Sequence, residues 1–336
     1  MQNFIKQKWT LLLLLALLAG GNKAQAQQDK MFSQYMFNMM ALNPAYAGSR
    51  DVLSATALYR NQWGGLEGAP QTATFTLDMP VNRERVGLGI QLFNDRVGLE
   101  TWTGAMLSYA FRIKLGERST LALGLQGGAT SFRWDLASAN LGNDLTDPAF
   151  STNISKILPN FGTGIHLSND RSYIGISVPY LIENNLSDYN TGSVRAKVNR
   201  HFYGTMGFVV GRGNLKLKPS MLVKYVNGAP LGLDGNLNLW FSDRIAFGVS
   251  YRHNRFNTYA GQIQEDKESG SVLTADALVG MLELQLSDQF RLGYSYDWTQ
   301  NRLNNTKQFL NLPTHELMLR YEFGFNKSKI LTPRYF

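Results

Sequence analysis

The sequence predicts an all-β fold, a transmembrane β-barrel of about 14 antiparallel strands of the outer-membrane type. Three observations carry that expectation. An export signal is followed by no second apolar helix, strands alternate with charge confined to one row, and short connections alternate with longer ones.

The first 26 residues have the three zones of a secretory signal peptide: Lys6 and Lys8, an apolar run from Leu11 to Leu18, and the small-residue end Ala24-Gln25-Ala26. The apolar run falls short of the roughly 20 residues a permanent helical span needs. Removal of residues 1–26 is therefore expected, with Gln27 as the mature N-terminus. No cysteine follows the signal, which argues against lipoprotein processing, and the 336-residue chain has no cysteine at all. Disulfides, cysteine zinc sites and thiol nucleophiles are excluded. Loss of Lys6, Lys8 and Lys23 lowers the formal charge from +8 to +5, 30 basic residues against 25 acidic. With no block of five or six Lys/Arg, a nucleic-acid partner is not expected. Fifteen Tyr, 19 Phe, 6 Trp and 32 Gly in an exported chain suit a β protein.

From Val52 onward the dominant period is two, which places alternate side chains on opposite faces of a strand. "RIAFGVSYR" (244–252) sets Ile245, Phe247, Val249 and Tyr251 against Arg244, Ala246, Gly248, Ser250 and Arg252. "FRLGYSYDW" (290–298) and "ELMLRYEFGF" (316–325) repeat the scheme, with Arg291 and Asp297, then Glu316, Arg320 and Glu322, on the polar rows. A Lys or Arg facing lipid at mid-bilayer costs roughly 2–4 kcal/mol, so such sorting is expected of a barrel. A soluble sandwich also alternates, but small residues on the polar rows (Gly87, Gly89, Gly162, Gly164, Gly175, Gly248, Gly293) suit a crowded, curved interior better than a solvated face.

The predicted strands lie at 52–60, 71–79, 85–93, 101–113, 120–133, 159–168, 172–180, 200–211, 215–225, 231–241, 244–252, 271–284, 289–298 and 314–325. Odd-numbered connections are mostly long (61–70, 94–100, 134–158, 181–199, 226–230, 253–270, 299–313). Even-numbered ones are short. Short periplasmic turns and longer external loops would put both termini in the periplasm. The divisions expected are a signal at 1–26, an N-terminal segment at 27–51, a barrel at 52–325 and a tail at 326–336. Tyr321, Phe323 and Phe325 alternate toward the end of the last strand and read either as an assembly signal or as an interfacial aromatic girdle.

No catalytic or metal constellation emerges, so no enzyme activity and no cofactor are expected. His166, His201, His253 and His315 are too far apart in sequence for a local motif. Adjacent His315 and Glu316 face opposite sides of a strand. Ser168 lies about 7 Å along the strand from His166, beyond a general base's reach. Asn143, Asp144 and Asp147 could hold Ca²⁺, yet their spacing matches no calcium loop and they are ordinary turn formers. The inward rows carry Arg60, Asp78, Lys216, Lys218, Lys224, Asp234, Arg252, Arg291, Asp297, Arg320 and Glu322. Cross-strand ion pairs in a closed interior are the expected use of that mixed charge, ahead of a wet channel.

"QYMFNMMALNPAYAGSR" (34–50) does not fit the strand pattern. Tyr35, Met36, Phe37, Met39, Met40, Leu42 and Tyr46 crowd a short span that breaks at Asn43-Pro44. Such side chains need burial, either as a plug inside the barrel or as a docking surface for a periplasmic partner.

That block, with "ALYRNQWGGLEGAPQTATFTLDMP" (57–80), "LPNFGTGI" (158–165), "LKPSMLVKY" (217–225), "GYSYDW" (293–298), "THELMLRYEF" (314–323) and "PRYF" (333–336), resembles the PorP/SprF family of Bacteroidetes type IX secretion proteins. Gln34, Tyr35, Phe37, Asn43, Pro44, Tyr46 and Gly48 lie in the N-terminal motif, and Arg60, Trp63, Gly68 and Pro70 at the first hairpin. Met39-Met40 is more methionine-rich than the pattern. The resemblance implies an outer-membrane barrel surrounded by lipid that assists secretion or surface attachment of large adhesins, in some members with gliding motility. It implies partners among type IX components and secreted proteins with C-terminal sorting domains. The barrel with an N-terminal "NPAYAG" (43–48) is also similar, more distantly, to FadL-type transporters of hydrophobic small molecules. An apolar lumen pocket and a lateral wall opening would favour that alternative.

Overall fold

A computed structural model describes residues 32–324, except 140–151, 187–196, 212, 228, 230, 260–261, 266–276 and 300–311; no side-chain placement is given for 254–276. The expected signal peptide, the loop residues Asn143, Asp144 and Asp147, and the C-terminal tail lie outside the described residues.

Fifteen strands form one antiparallel sheet, and 14 of them close into a barrel. They are β1 (Leu53–Asn61), β2 (Gln71–Val81), β3 (Val86–Val97), β4 (Glu100–Lys114), β5 (Thr120–Trp134), β6 (Ile154–Ser168), β7 (Ser172–Val178) and β8 (His201–Phe208). The second half is β9 (Leu215–Val226), β10 (Leu231–Phe241), β11 (Ile245–Tyr259), β12 (Gln262–Glu265), β13 (Ala277–Gln285), β14 (Phe290–Thr299) and β15 (Thr314–Phe323). Each barrel strand pairs with its neighbours in sequence, and β1 pairs with β15 from Leu53↔Phe323 to Asn61↔His315, which closes the ring. The short β12 pairs with the end of β11. Closure leaves no open sheet edge at the join, the condition for a sheet in lipid.

The predicted strands reappear with ends shifted by a few residues, and two connections differ more. The loop expected at 94–100 is only the two-residue turn Gly98-Leu99, with Gly98 at φ +56°. The polar run Asn94-Asp95-Arg96 read as loop, yet it continues the β2–β3 and β3–β4 ladders. Backbone pairing does not have to stop where the lipid does, and polar side chains are tolerated beyond the hydrocarbon. For the same reason β11 runs to Tyr259 instead of ending near Arg252.

Burial alternates as the period-two pattern requires. On β11, Phe247 and Val249 are 57% and 54% exposed, whereas Ala246, Ser250 and Arg252 are buried. Leu317, Leu319, Tyr321 and Phe323 on β15 likewise point outward while Glu316, Met318 and Arg320 are buried. In water such rows would form an apolar patch far larger than a soluble monomer exposes; against lipid they are at home. No helix of the described residues is long and apolar enough to cross a membrane. The turn between β10 and β11 shows why the short connections can be tight. In the three-residue connection 242–244, Ser242 and Asp243 both have positive φ, 48° and 56°, and the Arg244 amide donates to the Phe241 carbonyl at 3.0 Å, which closes a tight hairpin.

Candidate functional site

The barrel lumen holds the N-terminal segment. Residues 32–50 run from near the long-loop end, where Ser33 meets Arg60, Asp297 and Glu316, to the short-turn end, where Gly48 meets Asp78 and Arg112. Three short turns compact the segment: 3-10 turns at Tyr35–Phe37 and Pro44–Tyr46 flank a single α-turn at Met39–Leu42. Asn43 caps the last of them, its Oδ1 accepting from the Ala45 amide at 2.9 Å. Pro44 follows at the first helical position, where a missing N–H costs nothing. All seven large apolar side chains of the motif are buried, Tyr35 and Met39 to 1% and 2% exposure. Burial of each is worth about 1.5–3 kcal/mol relative to exposure in water. Burial also pushes the Tyr35 phenol well above its ordinary pKa, so it remains a neutral donor to Ser220 Oγ.

The upper clamp is ionic. The Ser33 and Gln34 amides donate to Glu316 Oε2 and Oε1 at 2.9 and 2.7 Å. Ser33 Oγ donates to Asp297 at 2.7 Å and accepts from Arg60 Nη1 at 2.8 Å and Arg252 Nη2 at 3.0 Å, which uses its donor and both lone pairs. Arg60 also pairs with Asp297 (2.8 Å) and Glu316 (3.1 Å), while Arg252 and Lys224 pair with Asp234 (3.2 and 2.8 Å). Arg60, Arg252 and Lys224 thus balance Asp234, Asp297 and Glu316. Buried charges persist only when paired and hydrogen-bonded in this way.

Lower down, the wall reaches the segment's backbone. Arg320 donates to the Phe37 carbonyl and stacks its guanidinium 5.8 Å from the Phe37 ring centre. Asn38 Nδ2 donates to Thr74 Oγ1 at 3.1 Å, Ser177 Oγ to the Leu42 carbonyl at 2.7 Å, and Asn43 Nδ2 to the Ile165 carbonyl at 3.0 Å. Tyr46 packs edge-on against His166, ring centres 5.5 Å apart. At the exit the Gly48 amide donates to Asp78 Oδ2 (2.9 Å), Arg112 donates to the Gly48 carbonyl (2.7 Å), and Arg50 pairs with Glu322 at 2.5 Å. Burial opposes the Arg50 charge, but Glu322 outweighs it and holds the guanidinium pKa above its ordinary value.

Small wall residues make room for this packing. A Cβ on Gly87 would strike the Ala47 carbonyl, and one on Gly164 would strike Asn43 Oδ1. Gly87, Gly89, Gly164, Gly175 and Gly293 are therefore seats for the segment, whereas Gly162 and Gly248 face Pro179 and Asn238.

Of the motif residues, Gln34, Tyr35, Phe37, Asn43, Pro44, Tyr46 and Gly48 meet inside the barrel, and Arg60 joins them through Ser33. Trp63, Gly68 and Pro70 lie apart, in the connection between β1 and β2. There the Trp63 amide donates to Thr314 Oγ1 (3.1 Å), Gly68 accepts from the Gly98 amide (2.8 Å), and Pro70 accepts from the Gln62 amide (2.9 Å). They stitch neighbouring connections at the long-loop end. Glu316, which the alternation puts on the polar row, is fully buried, and His315 on the other face binds Tyr294. Ser33, Asn38, Arg112 and Ser177 carried no sequence signal, because their roles depend on partners distant in the chain. No group of three or more metal-ligating side chains occurs among the described residues.

A family profile described as "Type IX secretion system membrane protein PorP/SprF" matches residues 24–321. No curated protein matches at a significant level. Among solved structures the chain is similar to the CymD monoaromatic hydrocarbon channel, at 10% identity over 89% of this chain and 95% of that one, TM-score 0.46. It is also similar to Omp33 of Acinetobacter baumannii, at 6% identity over 81% and 96%, TM-score 0.43. A third similarity is to the NanC porin, at 9% identity over 81% and 99%, TM-score 0.39.

Proposed function

Since the chain belongs to the PorP/SprF family of type IX secretion system membrane proteins, we propose that it is a structural partner in the outer membrane that assists secretion or surface attachment of cargo, and not the conduit itself. The observation that carries this reading is the occupied lumen. Residues 32–50 fill it and are tied to the wall from Glu316 at one end to Arg112 at the other. A barrel so filled meets other proteins through its rims and loops.

On this reading residues 1–26 are a cleaved signal, residues 27–51 a plug, and the short-turn end faces the periplasm with both termini. Burial of the large apolar side chains supports a plug over a docking surface. The partners are type IX components and secreted surface proteins with C-terminal sorting domains, including adhesins of gliding motility. No catalysis is involved. Transport of hydrophobic small molecules is the alternative; an apolar recess lined by Phe93, Trp102 and Leu158 favours it, whereas the buried ion pairs along the inner face count against passage through the lumen.

The experiment is gentle detergent extraction of the tagged protein, followed by mass spectrometry of what co-purifies. Type IX components, or a large surface protein with a C-terminal sorting domain, are expected. A barrel that repeatedly purifies without protein partners, carrying a bound apolar molecule, would overturn the secretion role in favour of transport.

A further inference from the structure

Among the described residues, strand pairing in the barrel wall stops short above β7. Strand β6 pairs with β5 along its whole length, Ile154↔Trp134 to Ser168↔Thr120, but with β7 only from Thr163 to Ser168. On the far side β7 reaches β8 no further than Ser177↔Tyr203. Among the described residues, the other edge of β6 over residues 154–162 pairs with no strand. The chain instead leaves β7 at Pro179 and bends into the lumen. Gln126 Nε2, an inward side chain, donates to the Pro179 carbonyl at 2.8 Å, and a Cβ on Gly162 would meet that same carbonyl. Asn160 then grips the Ile182 backbone with both ends of its amide, at 2.9 and 3.1 Å.

Behind this gap, at the long-loop end, lies a recess of about 530 Å³ counted with its open mouth. Phe93, Trp102, Leu158, Tyr180 and Val198 give it apolar walls, and His201 supplies a polar point. Apolar walls with a polar point are the lining of a small-molecule site. His201 is only 3% exposed. Its Nδ1 lies 2.9 Å from the Asn199 carbonyl, which can only accept, so Nδ1 carries the proton and Nε2 is left as a lone-pair acceptor. Nε2 is buried and meets no donor among the described residues. Of the polar side chains lining the recess, Asn160 is engaged with Ile182, Asn184 Nδ2 with the Pro159 carbonyl and Asp95 with the Thr72 hydroxyl. A buried acceptor left without a donor is costly, and in apolar surroundings a hydroxyl on an apolar body satisfies it best.

We propose that this recess is a binding site for a small apolar molecule bearing one hydroxyl, which donates to His201 Nε2. The site is separate from the secretion role, and either can fail without the other.

The test uses the mature barrel in lipid nanodiscs, with empty nanodiscs subtracting partition into lipid, and equilibrium dialysis of 1-naphthol against naphthalene. One saturable 1-naphthol site per barrel is expected, about tenfold tighter than naphthalene, the span of one well-made hydrogen bond. His201→Leu should erase the preference while naphthalene still binds. Leu158→Trp, and independently Val198→Trp outside the strands, should abolish both, with heat-modifiable migration confirming a folded barrel. Absence of saturable binding, equal affinity for the two probes in the unaltered barrel, or binding that survives both tryptophan variants would overturn the proposal. So would ordered water alone on Nε2 in a structure soaked with 1-naphthol.

Discussion

Asn43 Oδ1 stands where a side chain on Gly164 would begin. The asparagine is held from both sides, its amide donating to the Ile165 carbonyl while its oxygen caps the Pro44–Tyr46 turn. Neither partner can give way cheaply. Gly164→Ala is expected to destabilise the barrel by about 1–3 kcal/mol, the usual cost of overpacking. In an Asn43→Ala background much of that cost should vanish. Urea unfolding of the two single variants and the double variant measures the coupling, and purely additive effects would show that the contact does not matter.

Glu316 serves both the segment's first amides and Arg60, so its charge holds two parts of the fold at once. Glu316→Gln leaves Arg60 and Arg252 facing fewer carboxylates in a buried cluster. A loss of about 3 kcal/mol or more is expected, as for other broken buried pairs. Glu183, in an exposed pair with Lys197, is the control. Its replacement by Gln should leave the unfolding midpoint where it was, because surface pairs contribute little.

A lumen filled from Ser33 to Gly48 should not pass ions freely. In planar bilayers the mature protein is expected to stay closed, and a variant lacking residues 27–42 to show steady conductance. Closure of the deletion variant, with the barrel verified as folded, would mean that the segment is not what blocks the lumen.

Val249 points outward from β11, while its neighbour Ser250 is buried inside. Val249→Arg places a cation in lipid and should cost about 2–4 kcal/mol in vesicle-based unfolding titrations. A penalty near zero would contradict the lipid-facing assignment of this row.

Strand number, strand order and the direction of nearly every side chain on β15 and on β11 as far as Arg252 were legible in the sequence, because they rest on a local rule. Neighbouring strand residues face opposite sides, and the cost of charge in lipid puts Arg252 and Arg320 on the inner row whatever the rest of the chain does. The buried fate of Tyr35, Phe37 and Tyr46 was equally legible as a need for burial, but not its place. The polar run at 94–96 was misjudged because loop-like composition does not end a ladder beyond the lipid.

By itself, then, the sequence determined a barrel with sorted faces and an apolar N-terminal segment that must be covered. Tertiary structure alone decided what covers it and which charges meet. Ser33 and Glu316 are 283 residues apart, and Asn43 and Ile165 122. Contacts of that separation depend on ring closure and register, set jointly by all the strands. The same holds for His201, whose unpartnered nitrogen faces the recess only because β7 ends early and the chain turns inward at Pro179.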